Sequence, residues 1–196
     1  MSTARSSLVW ELDHVRNNLG KVTWIYIAET LKYGLGIYAA KSFADHEIVI
    51  SDSSGNYYND ALSYDQVCSL DLDLSRDCFQ IDDDRFLLPS GSIDDLINHS
   101  CHPNAGIRLT RLGYDLIALR DINDGDEITY DYSTYIESPE RLSCRCGTWR
   151  CRKEIGRFRE LDPHLRAYYI HRGVVGAFAA SAVAGEGGLV EHEVAR

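Results

Sequence analysis

The sequence predicts a mainly β domain with short helices, an α+β architecture whose C-terminal part is tied back by a metal. Two observations carry this. Short runs rich in β-branched and aromatic residues recur between turn-forming clusters from Val22 to Tyr132, and the intervening helical stretch, 60–78, breaks into short pieces. In addition, Cys144-Arg-Cys146-Gly-Thr-Trp-Arg-Cys151 places three cysteines within eight residues, with a fourth upstream at Cys101.

Taken in order, Leu8, Val9, Leu12, Val15 and Leu19 fall at helical spacing and predict an N-terminal helix ending near Gly20. Residues 22–28 read as the first strand and residues 47–51 as the next, closed by Asp52-Ser-Ser-Gly55. Residues 79–81 and 85–88 flank three consecutive aspartates, a hairpin with an acidic tip. A second hairpin is expected between residues 114–120 and 127–132, because Asp124-Gly125 supplies a turn in which glycine accepts positive φ. Strand alternation then puts Ile128, Tyr130 and Tyr132 on one face and Thr129 and Asp131 on the other. Asp162-Pro163 is a helix start, with an N-cap carboxylate followed by proline at the first position. Beyond Ala184 the chain reads as a polar tail.

The 196 residues suffice for one domain with extensions. A net charge of −10 speaks against a direct nucleic-acid partner. Ten aspartates and two arginines lie between residues 60 and 95, so that segment either attracts a basic, lysine-containing protein or peptide or is a solvated surface. No secretory signal opens the chain, and the longest apolar run, 173–185, is too short and too interrupted by glycine to span a bilayer. The expectation is a soluble, cytoplasmic protein with no membrane partner. In a reducing compartment six cysteines favour metal ligation over disulfides, which leaves Cys68 and Cys78 as buried or incidental thiols.

Zn²⁺ in structural sites takes four thiolate or imidazole ligands in a tetrahedron. Cys144, Cys146 and Cys151 supply three from one loop, and Cys101 is the natural fourth. Four thiolates leave no open coordination position, so such a zinc is structural. Gly34-Leu-Gly36-Ile-Tyr-Ala39 fits the glycine pattern of a dinucleotide site, but the helix and βαβ rhythm that pattern requires are missing.

In sequence order, Gly34-Leu-Gly36-Ile-Tyr-Ala, Ile97-Asn-His-Ser-Cys-His-Pro-Asn104, Leu119-Arg-Asp-Ile-Asn-Asp-Gly-Asp-Glu-Ile-Thr-Tyr-Asp-Tyr132 and the cysteine loop resemble the SET-domain protein lysine methyltransferases, post-SET zinc loop included. The solitary arrangement is similar to the small SET proteins of bacteria. The resemblance implies a SET-domain fold of several small antiparallel sheets, with a threaded, knot-like active-site segment and a C-terminal zinc loop. It implies an N-terminal extension at 1–21, a SET domain at 22–135, a post-SET zinc-binding loop at 136–156 and a C-terminal helix and tail at 157–196.

S-adenosyl-L-methionine is the implied cofactor, bound by Gly34, Leu35, Gly36, Asn98 and His99, with structural Zn²⁺ on Cys101, Cys144, Cys146 and Cys151. Tyr132 is the implied catalytic tyrosine; Tyr130 lines the lysine channel and leans the product toward mono- or dimethylation. Many members carry a further channel tyrosine in Glu-Tyr-x-Gly-Glu, where this chain reads Asp52-Ser53-Ser54-Gly55-Asn56. Either Tyr57 or Tyr58 folds back in its place, or the channel is wider. Arg152-Lys153 stands where Arg-Gly is common, and Trp149 is either a stacking surface for adenine or an exposed loop side chain. The implied activity is methyl transfer to a lysine ε-amine; a small-molecule amine acceptor and a catalytically silent module binding basic peptides are the alternatives.

Overall fold

A computed structural model describes residues 24–30, 32–53, 57–70, 78–91, 93–137 and 139–184. The expected N-terminal helix and the tail beyond Ala184 lie outside the described residues. The chain builds small sheets rather than one large one. β1 (Ile25–Thr30) and β2 (Gly34–Ala39) form an antiparallel hairpin in which Ala28 faces Gly36. β3 (Ile48–Asp52) follows, then two short helices, α1 (Tyr57–Asp60) and α2 (Tyr64–Ser69). Helix α2 starts where it does because Ser63 and Gln66 form a reciprocal capping box.

β4 (Phe79–Asp82) and β5 (Arg85–Leu87) make the expected hairpin around the aspartates. β6 (Asn98–His99), β7 (Ala105–Leu109), β8 (Tyr114–Ala118) and β9 (Thr129–Tyr130) complete the central region. β10 (Leu142–Ser143) pairs with β11 (Glu154–Ile155) at the base of the cysteine loop. Helices α3 (Pro163–Arg172) and α4 (Ala177–Ala184) close the described chain. Asp162 caps α3 through His164 N at 2.9 Å, and Gly173 ends it at φ 66°.

The second expected hairpin does not form. Strand β8 lies between β3 and β7, so both its edges are already paired. The Asp-Gly turn exists, with Gly125 at φ 86°, but it delivers the chain to β2 instead: Gly125 N donates to Ala39 O at 2.9 Å and Ile128 N to Ile37 O at 2.9 Å. β9 then pairs in parallel with β6, Asn98 opposite Thr129 and His99 opposite Tyr130. Asn104 locks the crossing, its Nδ2 donating to Glu127 O at 2.8 Å and its Oδ1 accepting from Thr129 N at 2.9 Å.

The main core gathers Ile37, Leu116, Ile122, Ile128 and Phe158 around the three-stranded sheet. The C-terminal helices belong to it: Tyr169 and Val174 are buried, and a Cβ on Gly106 would lie 2.7 Å from Val174 Cβ. Arg172 holds α3 to the sheet by donating to Ala118 O at 2.8 Å and Asp45 Oδ1 at 2.7 Å. Among the described residues no helix is long and apolar enough to cross a membrane.

Candidate active site and metal centre

The cysteine loop closes because β10 and β11 bring Cys144 N to Lys153 O at 2.8 Å. The turns between them use left-handed backbone at Gly147, φ 72°, and Lys153, φ 70°. The result gathers the Sγ atoms of Cys101, Cys144, Cys146 and Cys151 within 4.8 Å of one another. A tetrahedron with Zn–S arms of about 2.3 Å has corners about 3.8 Å apart. Cys101–Cys144 and Cys151–Cys144 stand at 3.6 and 3.7 Å, so the thiols fit that ion. Backbone N–H groups of Cys146 and Arg152 aim at Cys144 and Cys101 Sγ, each at 3.4 Å, as donors to thiolates do. Burial pushes the Cys101 thiol well above its ordinary range, so a bound cation is what would make it a thiolate.

The loop reaches the β1–β2 turn, where Lys32 Nζ donates to Cys146 O at 2.6 Å and Arg145 N to Tyr33 Oη at 3.0 Å. Gly34 opens β2 at φ 82°. Gly36 is obligatory for a second reason: a Cβ there would meet Asn98 Nδ2 at 2.7 Å and Glu127 Oε1 at 2.8 Å. Asn98 Nδ2 itself donates to Leu35 O and Glu127 Oε1, both at 2.9 Å. Gly34, Leu35, Gly36 and Asn98 thus share one place beside the cysteine loop. The His99 imidazole turns elsewhere, toward Cys101 Sγ at 3.2 Å and Tyr132 N at 3.2 Å. Burial lowers its pKa to about 4, so at neutral pH it is uncharged and accepts from Tyr132 N through Nδ1.

Tyr130 and Tyr132 meet with ring centroids 4.7 Å apart and line a cavity of about 540 Å³. Their neighbours in its wall are Tyr57, Tyr114, Tyr135 and Phe79, with Asp52, Asp60, Asp94 and Asp95 as its acidic groups. Burial pushes the Tyr130 and Tyr132 phenols far above 10, so neither is a phenolate base at neutral pH. Tyr132 Oη donates to Ile97 O at 2.9 Å, which leaves its oxygen lone pairs as acceptors toward the cavity. Tyr57 reaches in and donates to Asp52 Oδ2 at 3.0 Å, whereas Tyr58 is half exposed and Ser53 does not line the cavity. Cys78 is half-buried in the wall and Cys68 is exposed, on α2.

Sequence reasoning missed the group that joins the two sites. Asp131 leaves the β9 strand as the N-cap of a 3-10 turn, Tyr132–Tyr135, and its side chain is wholly buried. Arg152, next to Cys151 of the thiol cluster, grips it with Nη1 to Oδ2 and Nη2 to Oδ1, both at 2.7 Å. Tyr169 Oη donates to Oδ2 at 3.1 Å and Ser133 N to Oδ1 at 3.1 Å. A carboxylate between the two cavity tyrosines and an arginine directly after the last cysteine were the available signals. Spacing alone could not show that they meet.

The family model for the SET domain matches residues 34–133. The rice histone-lysine N-methyltransferase TRX1 (Oryza sativa subsp. japonica) is 45% identical over 80 residues, 38% of this chain and 8% of that protein. Human histone-lysine N-methyltransferase 2D is 29% identical over 136 residues, 66% of this chain and 2% of its own. The probable histone-lysine N-methyltransferase set-23 of Caenorhabditis elegans is 44% identical over 71 residues, 33% of this chain and 29% of that one. The chain spans less than a tenth of the length of TRX1 and 2D. Among solved structures, KRYPTONITE in complex with mCHG DNA and SAH is 23% identical at a TM-score of 0.48, covering 71% of this chain and 31% of that one. The family match covers half of the chain, over the same residues that build the β2 turn, the β6–β9 crossing and the tyrosine pair, and the chain belongs to the SET-domain family.

Proposed function

We propose that the chain is an S-adenosyl-L-methionine-dependent protein-lysine N-methyltransferase acting on a basic, lysine-containing protein or peptide. The cavity carries this reading, because it joins the paired phenols of Tyr130 and Tyr132 to four carboxylates in one wall. The aliphatic part of a lysine side chain fits the aromatic lining, and the carboxylates favour a cationic polypeptide.

Gly34, Leu35, Gly36, Asn98 and the His99 backbone would hold the cofactor, beside the close contact in which Gly36 leaves room for Asn98 Nδ2 and Glu127 Oε1. When bound, S-adenosyl-L-methionine supplies an electrophilic methyl on a positively charged sulfonium. The remaining work is alignment and exclusion of water. A free lysine amine has a pKa of about 10.4 and must be neutral to attack. Tyr130 and Tyr132 contribute by walling the amine from water, which lowers that pKa. As a neutral phenol, Tyr132 orients the amine by accepting its N–H and removes no proton. Cys101, Cys144, Cys146 and Cys151 would hold Zn²⁺, whose part is to keep the loop against the β1–β2 turn. Six cysteines without a disulfide suit a reducing, cytoplasmic location, which belongs to this reading.

The test uses zinc-loaded protein, methyl-labelled cofactor and core histones or another lysine-rich protein. Label on lysine is expected, and Tyr132→Phe is expected to lower turnover about 100-fold or more while cofactor affinity stays within about twofold. A protein that neither binds the cofactor nor labels any lysine contradicts the proposal. Label confined to low-mass amines points to the small-molecule alternative.

A further inference from the structure

The net charge of −10 conceals a local reversal. Residues 141–159 hold six arginines and one lysine against one glutamate. Four of the arginines are engaged: Arg141 and Arg157 with Glu160, Arg152 with Asp131, and Arg159 with Glu137. Arg145, Arg150 and Lys153 are exposed and meet no carboxylate among the described residues. Between them Trp149 is 78% exposed, the most exposed large hydrophobic residue described. It is nonetheless braced. Arg150 Cζ lies 4.5 Å from its ring centroid, and the His102 ring is 5.7 Å away. Arg120 extends the strip, 3.5 Å from His102 Nδ1. Its other bonds go to the carbonyls of Pro103 at 2.6 Å and His102 at 3.2 Å, which leave its charge uncompensated.

Arg120, His102, Trp149 and Arg150 therefore form a continuous cationic and aromatic strip on the outer face of the cysteine loop. We propose that this strip binds a nucleic-acid strand, with phosphates on Arg120 and Arg150 and a base against the Trp149 ring. Charge alone would also fit an acidic peptide. The indole decides between them, because a nucleobase offers a π-face to stack on and an aspartate or glutamate side chain does not. The acidity of the rest of the chain does not veto the contact. At physiological salt, exposed charges are screened beyond about 8 Å, so the nearest groups set the local field. The expectation of no nucleic-acid partner rested on total charge, which is blind to this placement. The inference does not depend on methyl transfer, since binding is measured without cofactor or lysine substrate.

Fluorescence anisotropy of the zinc-loaded full chain with a labelled single-stranded DNA of about 20 nucleotides tests it. Saturable binding is expected, weakening with salt at a log–log slope of about −1.4 for two phosphate contacts. Arg150→Glu is expected to weaken binding about tenfold or more and to flatten that slope. Trp149→Ala is expected to weaken it by about 5- to 100-fold and leave the slope in place. Zinc content and melting temperature verify that both variants are folded; if Arg150→Glu loses zinc, Arg150→Gln replaces it. Three results overturn the proposal: no saturable binding, folded variants that bind like the parent, or displacement of the strand by polyglutamate as readily as by unlabelled DNA. The last would assign the strip to an acidic protein.

Discussion

Around β7 and β8 the chain is held by burial. Ala105, Leu116, Ala118 and Ile122 have no exposed surface, and Phe158 and Val174 from the C-terminal part complete the same core. Across the cysteine loop the means are different. Its cluster consists of Cys101, Cys144, Ile136 and Ile155, two thiols and two aliphatic side chains, with Tyr132 packed against it. So little apolar area cannot offset the conformational entropy of ordering the loop. What remains is the cluster of four thiols, the β10–β11 pairing, the contacts of Lys32 Nζ to Cys146 O and of Arg145 N to Tyr33 Oη, and the Arg152–Asp131 pair. One region folds because it buries surface; the other would be ordered by a cation on its four thiols and is fastened to the first at polar points. The candidate active site lies at the join, with Tyr132 beside Asp131.

The largest expected effect comes from separating the two regions. Chelating zinc, or Cys101→Ser, is expected to lower methyl transfer about 100-fold or more while leaving the body folded. Hydrogen exchange checks this: faster exchange confined to residues 141–156 and 32–33, with β7 and β8 still protected, is the predicted pattern. Loss of protection in β8 as well would show that the loop is part of the core.

Next comes the fastening. Arg152→Met leaves the wholly buried Asp131 carboxylate without its cation, a change that costs about 3–5 kcal/mol when a buried pair is broken. Denaturant midpoints measure it, and adding Asp131→Asn in the same chain is expected to recover part of the loss.

Lys153 tests the loop alone. Its φ of 70° is one that a residue with a Cβ adopts at a cost, so Lys153→Gly is expected to stabilise the zinc-bound protein by about 0.5–1 kcal/mol in thermal melts.

The smallest effect probes the polar points of the C-terminal part. Arg172 holds the Asp45 carboxyl below its ordinary value, and Arg157 does the same for Glu160. A depressed folded pKa contributes stability that is fully present above the unfolded value of about 4. That contribution is lost as pH falls through the lowered folded values, so melting temperature declines on the acid side of about pH 4. Arg172→Met is expected to shrink the decline, and an unchanged acid limb would remove Asp45 from it.

The readable parts of the sequence were those whose signals are local. Asp162-Pro163 marks a helix start, and the acidic hairpin forms because its strands are neighbours in sequence. The four cysteines converge as the residue count suggested. Residues 114–132 misled, because a strand's own sequence does not reveal that both its edges are taken. β9 found a parallel partner 31 residues upstream, Asn98 to Thr129, a pairing that depends on the crossing fixed by Asn104. Tyr130 and Tyr132 do line one cavity, but not by the expected strand alternation, since β9 ends at Tyr130 and Tyr132 opens a 3-10 turn; the burial of Asp131 was not legible, because its partner Arg152 lies 21 residues away on the cysteine loop. Tyr57 and Ser53 could be told apart only once the cavity had walls.

The measurement that bears most directly on the coupling of loop and active site is turnover of Arg152→Met, taken together with its zinc content and cofactor affinity. If Arg152 carries the zinc loop's order to Tyr132 through Asp131, the variant keeps one zinc per chain yet loses about tenfold or more in turnover, and Arg152→Lys recovers only part of it. Parental turnover in a zinc-loaded Arg152→Met protein would contradict the account, as would a loss of activity that follows zinc content alone.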